Sequence, residues 1–322
     1  MALDLDALEN YTQQNAEDLV VGSLFEAKTQ RIIKSEGVVE TGIKSARTVN
    51  RLETDVIFQD DDDCGFTPSG TTKISQRVLE VGPIKVNEAL CPKKLNRVYL
   101  QHEVKQGSAD DEIPFEEEYS EQKMLGIAAA NEVAIWQGDK DGVDANLNKY
   151  DGFIKILAAG DVSGSVIHAN VAQFISGAPL GSGTVITGEL AIQIVDGIYK
   201  ALPAKILSKR DLRVWCGSDF FRTYVLGLKE KNLYHYAPEH DDLDIKVPAT
   251  NLILTGTHGL DGTNKLYALR TSNMHLGTDL EGEDETFSMK YAEEAEEVRF
   301  KSAFKLGVQI AFPDEVVEFH LG

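Results

Sequence analysis

Cysteine is scarce in this 322-residue chain: Cys64, Cys91 and Cys216 are an odd number, and their spacing matches no zinc pattern. Neither a disulfide framework nor a structural zinc site is expected, and the thiols are read as reduced and buried. Long apolar runs are missing too. No stretch approaches the roughly 18 to 20 consecutive apolar residues of a membrane span, and the opening MALDLDALENY is acidic where a secretory signal is basic and then apolar. No membrane partner is expected, and the chain reads as an intracellular product. Positive charge is in short supply, with 32 Lys and Arg against 52 Asp and Glu, a formal net charge of −20. Phosphate binding is driven by clustered cations that displace counterions, so direct nucleic-acid recognition is disfavoured.

Catalytic signatures are equally sparse. His102, His168, His235, His240, His258, His275 and His320 are scattered, and none stands in a HExxH frame or beside paired carboxylates. Gly181, Gly183 and Gly188 suggest a phosphate loop, but no Lys and Ser/Thr pair follows, so a flexible loop ahead of a helix is the reading. Cys216, Gly217, Ser218 and Asp219 set nucleophile types at a strand-to-helix turn without a G-x-S-x-G frame, and Ser218 is read as a helix cap. The run Asp60 to Asp63 lacks the alternate spacing and closing Glu of a calcium loop and reads as solvated charge. No enzyme activity, metal or cofactor is expected.

What is present begins with one long helix, expected from Pro114 to Gln137. Pro114 suits a first turn, Glu116, Glu117, Glu118 and Glu121 face the positive end of the helix dipole, and Gly138 is expected to end the helix in the left-handed conformation. Twenty-four residues make a rod of roughly 36 Å. Leu125, Ala128, Ala129, Glu132, Val133 and Trp136 recur at helical spacing and predict a buried face, with Trp136 read as core. Charge is segregated nearby. Lys28 to Arg51 holds six basic against two acidic residues, a local +4, whereas Asp110 to Glu121 holds seven acidic residues and no Lys or Arg. Solvation accounts for both runs, and a contact between them across subunits is the alternative.

Ahead of the long helix the chain is polar and extended. Leu3, Leu5, Leu8 and Tyr11 suggest a short helix, and a Gly-punctuated stretch to about Asp63 reads as an arm. From Thr71 to Leu100, RVLEV and PIKVN, with Pro83 and Pro92 as punctuation, suggest a two-stranded projection. An isolated hairpin is marginal in water, so the projection is expected to lie on a neighbour. After the helix comes an α/β stretch. Thr187 is a plausible cap for a helix striped by Leu190, Ile194 and Ile198 and stopped by Pro203; LRVWC at 212–216 is a buried strand; Phe221, Val225 and Leu228 stripe the next helix. NLILTG and KLYALRTSN flank a hairpin signal at Asp261 and Gly262, and Val298, Phe300, Val308, Ile310 and Phe312 carry the period of two that closes the chain in sheet.

Arm, projection, long helix ending in WQGD, α/β middle and closing sheet, in that order, resemble the tailed-phage major capsid proteins of the Hong Kong 97 fold over nearly the whole chain. QDDDDCGFTPSGTT at 59–72, EALCPKKL at 88–95 and the FKLGVQIAFPDEVV terminus are similar to capsid proteins of phages that infect Bacteroidota. The resemblance implies an α+β fold divided into an N-terminal arm (1–70), an extended E-loop hairpin lying over an adjacent subunit (71–112), a peripheral domain with the spine helix (113–149), an axial α/β domain (150–248) and peripheral sheet (249–322). It implies self-assembly into pentamers and hexamers of an icosahedral shell around double-stranded DNA, in the virion and formed in the host cytoplasm. Portal, scaffold or decoration proteins are implied as partners. No long cleavable segment precedes the arm, so a scaffold is expected to be a separate protein, and the negative charge suits a lining along which DNA slides. The expected contact pairs Lys73, Arg77, Lys85 and Lys94 of the projection with Glu117, Glu118 and Glu121 of a neighbouring spine helix. An encapsulin-type nanocompartment is the nearest alternative, and a soluble α/β or metal-dependent enzyme the more distant one.

Overall fold

The computed structural model describes residues 27–59, 68–90, 115–162, 164–169, 180–181, 183–231, 242–279, 286–292, 294–295 and 297–321; the side chains of 115–121, 161–162, 286–287, 289 and 291 fall outside that description. The short helix expected near the N-terminus, the Asp60 to Asp63 run, Cys64, Cys91, Lys94, His102, His235 and His240 therefore lie outside the described residues.

In chain order the elements are α1 (Lys28–Glu36), β1 (Val38–Glu40), β2 (Ala46–Thr54), β3 (Thr72–Glu80), β4 (Gly82–Leu90), α2 (Phe115–Gln137), α3 (Phe153–Val162), β5 (Ile167–His168), α4 (Gly188–Ala201), the single turn α5 (Ala204–Leu207), β6 (Leu212–Gly217), α6 (Ser218–Glu230), β7 (Asp244–Lys246), β8 (Ile253–Thr257), β9 (Lys265–Arg270), β10 (Met274–Thr278), β11 (Thr286–Ala292), β12 (Glu297–Ile310) and β13 (Val317–His320). They build three sheets: β1-β10-β12-β11 with β4 also on β12, the mixed sheet β5-β13-β9-β6-β8-β7, and the two-stranded β2-β3.

Strand β12 organises the first sheet. Val298, Phe300, Ser302, Phe304 and Leu306 are buried in strict alternation, the expected period of two. Its residues 298–303 pair with both β4 and β11, which must therefore take opposite edges. In the second sheet β6 is buried along its whole length. One of its faces puts Trp215 into the core that holds α2, α3 and β12; the other puts Val214 and Cys216 against α4 and α6. Burial on both sides explains why LRVWC reads as a continuous run instead of an alternating one.

Helix α2 agrees with the expected helix to within a residue at its start, but its buried face differs. Ile127, Ala128, Asn131, Glu132, Ala134, Ile135 and Trp136 are buried, while Leu125 and Ala129 are exposed. The buried stripe widens toward the C-terminus, where Ala134, Ile135 and Trp136 enter the core shared with α3 and β12. Gly138 does not take the left-handed conformation among the described glycines. It is there for space: a Cβ would stand 2.5 Å from Ala134 O and 2.7 Å from Tyr150 O.

Other expectations need larger corrections. Strands β8 and β9 are not a hairpin; β6 lies between them, parallel to β8 and antiparallel to β9. Gly262 does turn with φ +72°, but the turn follows a 3₁₀ segment, His258–Leu260, packed on α2. There Gly259 lies so close to Trp136 that a Cβ would sit 2.2 Å from its Cδ1. From Ala27 on, the stretch read as an arm is built into the subunit: Thr29, Gln30, Ile32 and Ile33 of α1 are buried, and β1 pairs in parallel with β10. Finally β3 and β4 do not pair with each other. β3 pairs with β2 over nine positions, and β4 with β12 over nine.

Candidate intersubunit surface

The β2-β3 hairpin has two chemically distinct faces, set by the alternation of each strand and their register. On one face Val49 and Leu79 are buried with Ile43 and Ala311, which seats the base of the hairpin on the subunit. Arg47, Arg51, Glu53, Lys73 and Arg77 share that side. Arg51 bonds Asp314 at 2.7 Å and lies 4.9 Å from the Phe312 ring centroid. Arg77 is half-buried, and desolvation with the nearby Arg51 charge lowers its pKa from the ordinary guanidinium value. Lys73 is exposed and lines an open cleft of about 930 Å³ with Arg51, Lys205, Asp314 and Glu315.

The other face carries Thr48, Asn50, Leu52 and Thr54 opposite Val78, Gln76, Ile74 and Thr72. None of these eight is charged, in a chain where a quarter of residues are; Glu80, opposite Ala46 at the base of the same face, is the exception and pairs with Lys140 at 3.3 Å. Leu52 and Ile74 are a direct cross-strand pair, 63% and 71% exposed, and Val78 is 50% exposed. Val56, Ile57 and Phe58, just beyond β2, are exposed as well. Large exposed side chains in one patch mark a surface that another molecule covers. Sequence reasoning singled out the lysines and arginines of the projection and missed this face. The signal was available in TVNRLET and TKISQRV, where every charged residue, Arg51, Glu53, Lys73 and Arg77, falls on the same alternate positions of its strand.

The remaining expected contact residues are dispersed. Lys85 is exposed on β4 beside a depression that Lys123 and Lys149 also line. The side chains of Glu117, Glu118 and Glu121, like Lys94, fall outside the described residues. One ion pair joins β4 to α2 within the subunit, from Lys123 to Glu88, with the charges opposite to the expected order. The locally basic segment is largely neutralised within its own chain. Lys28 pairs with Asp244 at 2.8 Å, Arg31 with Asp242, Lys44 with Asp279 at 3.4 Å, Arg47 with Glu40 at 2.8 Å and Arg51 with Asp314. After α2, Lys155 plays the part of an internal cation, reaching Asp139, Asp141 at 2.6 Å and Asp151 at 2.9 Å.

Nucleophile types near β6 serve the fold. Ser218 is not the cap of α6; it is the first helical residue, and Asp261 Oδ1 accepts from its backbone N at 2.6 Å and its hydroxyl at 2.8 Å. The other oxygen of Asp261 meets His258 Nδ1 at 3.0 Å. Burial opposes ionisation of Asp261, but bonds from His258 and Ser218 outweigh it and hold the carboxyl below its usual range. The carboxylate thus separates serine from histidine, and no base reaches the hydroxyl within this trio. Cys216 is fully buried, its thiol pKa raised by desolvation, and its Sγ lies 3.5 Å from Thr255 O. A thiol held protonated is a poor nucleophile.

No protein-family model and no curated protein matches the chain. Solved structures do. A chain of the satellite phage P4 procapsid with size determination (Sid) protein aligns over 94% of this chain and 90% of its own, at 9% identity and a TM-score of 0.56. A capsid chain of an empty GTA particle aligns over 89% and 88%, at 12% identity and 0.56. The virus-like particle from Pyrococcus furiosus aligns over 96% and 99%, at 10% identity and 0.51. Over nearly its whole length, therefore, the chain has the α+β fold of the phage capsid proteins, the Hong Kong 97 type that its order of segments resembles.

Proposed function

We propose that the chain is the major capsid subunit of a tailed phage, assembling into pentamers and hexamers of an icosahedral shell around double-stranded DNA. The observation that carries this reading is the capsid fold spanning nearly the entire chain. The exposed hairpin face supports it, because that surface has the chemistry of a contact and Leu52, Ile74 and Val78 stay open among the described residues. In this reading the hairpin is the E-loop and starts at Ala46, earlier than residue 71, and lies on an adjacent copy. Helix α2 is the spine helix of the peripheral domain, and the mixed sheet with α4 and α6 is the axial domain. The subunit is not an enzyme; its work is done by repeated weak contacts that sum to avidity. Portal, scaffold and decoration proteins are its proposed partners, the host cytoplasm its place of assembly, and its −20 charge a lining that lets DNA slide.

Negative-stain electron microscopy of the purified chain, beside its sedimentation, tests the proposal. Closed shells or capsomer-sized rings are expected. A chain that stays monomeric at high concentration, even when coexpressed with its neighbouring genes, would sink it. The content of particles from the native source distinguishes DNA from the enzyme cargo of an encapsulin-type compartment. Within the shell, Lys73, Arg77, Lys85 and Lys94 are proposed to meet Glu117, Glu118 and Glu121 of an adjacent copy. Charge reversal at Glu117 and Glu118 is expected to cut shell yield and to make it depend on salt; unchanged assembly would discard that pairing.

A further inference from the structure

Away from the hairpin, one rung of the mixed sheet gathers three metal-ligand side chains. His168 on edge strand β5 is paired with Glu318 of β13, and His320 follows two residues on, so all three share a face. One ligand atom from each falls within 4.8 Å of the others. His320 Nδ1 stands 3.8 Å from Glu318 Oε1, and the His168 and His320 rings meet edge to face at 5.7 Å between centroids. Glu318 is buried and held from the adjacent strand on the same face, where the Tyr267 hydroxyl and the Lys265 ammonium each donate to Oε1 at 3.2 Å. Outer hydrogen bonds of this kind fix the orientation of a ligating carboxylate.

We propose that His168, Glu318 and His320 form a binding site for a divalent first-row transition ion, zinc foremost, with water in the fourth position. Two imidazoles and one carboxylate are a donor set that zinc takes in tetrahedral geometry. Metal–ligand bonds of about 2.0 to 2.1 Å put tetrahedral ligand atoms about 3.3 Å apart, so this set needs to close by at most about 1.5 Å. Rotation of the two exposed imidazoles supplies that movement while Glu318 stays anchored. The bound ion ties the two-residue strand β5 to the last strand of the chain. Lys265 competes with it, because its ammonium occupies the oxygen beside which the ion must sit. The competition gives a test with a sign. The site stands apart from the capsid reading, since it rests on this subunit's own side chains.

Calorimetric titration of the full-length, untagged chain with Zn²⁺ alone, with the visible spectrum of Co²⁺ as a probe of tetrahedral geometry, decides the matter. One ion per chain is expected. His168→Ala and His320→Ala, both at exposed positions, should each weaken binding by about tenfold or more, whereas Lys265→Met should tighten it. Metal-free thermal unfolding of each variant checks that the fold persists. Absence of saturable binding, or binding that both histidine variants leave unchanged, overturns the proposal.

Discussion

Trp136→Ala is expected to destabilise the subunit by about 3 to 5 kcal/mol, the range for losing a large buried aromatic side chain. Trp136 is fully buried in the core shared by α2, α3 and β12, 5.3 Å from the Phe153 ring centroid, 5.5 Å from Trp215 and 6.0 Å from Tyr267. No smaller neighbour can collapse into the space, since α2, β6 and β9 are each fixed by their own pairing. The indole also ends a polar chain. Its Nε1 donates to Thr29 Oγ1 at 2.9 Å, Thr29 donates to Glu132 through its hydroxyl at 2.5 Å and its backbone N at 2.9 Å, and Thr257 donates to the same carboxylate. That buried chain fastens α1 to α2 and to the end of β8. Trp136→Phe separates the two contributions: it keeps much of the volume and forfeits the donor, at about 1 kcal/mol. Urea unfolding of unassembled subunits measures both. Equal losses in the two variants would mean that the hydrogen-bonded chain, and not the filled volume, dominates.

The paired substitution Leu52→Lys with Ile74→Glu is expected to abolish shells while leaving subunit stability nearly unchanged. The two positions face each other across the hairpin on its exposed side, so opposite charges preserve an attractive cross-strand pair. What they remove is the possibility of covering that face cheaply. Each charge buried against a neighbour costs several kcal/mol in lost hydration, and the cost recurs at every copy in the shell. Sedimentation and microscopy read the assembly, and thermal unfolding of the dissociated subunit reads the control. Shells at the wild-type yield would show that this face is not an interface.

How far such features can be read from sequence depends on whether their cause is local. The α2 boundaries, the Thr187 cap, which accepts from Leu190 N at 3.3 Å, and the alternation along β12 all arise from residues a few positions apart, and all were legible. The supposed hairpin at Asp261 and Gly262 was misread because a turn signal records that the chain reverses, not which strand fills the gap; β6, some 40 residues earlier, fills it. Ser218 was misassigned for the same reason, as Asp261 arrives from a distant loop to cap α6. The arm reading runs past α1 because the groups that bury Thr29, Glu132 and Thr257, lie more than 100 residues away. In the candidate surface the charged residues drew attention by their type, while the opposite face emerges only when the alternation within each strand is combined with the register of the two.

The continuity of β3 into β4 has a mechanical consequence. One residue, Val81, separates the hairpin strand from a strand that lies antiparallel along β12 over nine paired positions, Gly82↔Leu306 to Leu90↔Val298. A pull on the hairpin along its length therefore loads that ladder in shear, with many hydrogen bonds resisting together, whereas a pull across it would peel them one by one. If neighbouring copies grip the hairpin, tension along its axis passes into β12, the longest of the described strands at 14 residues, and the joint is stiffest in that direction.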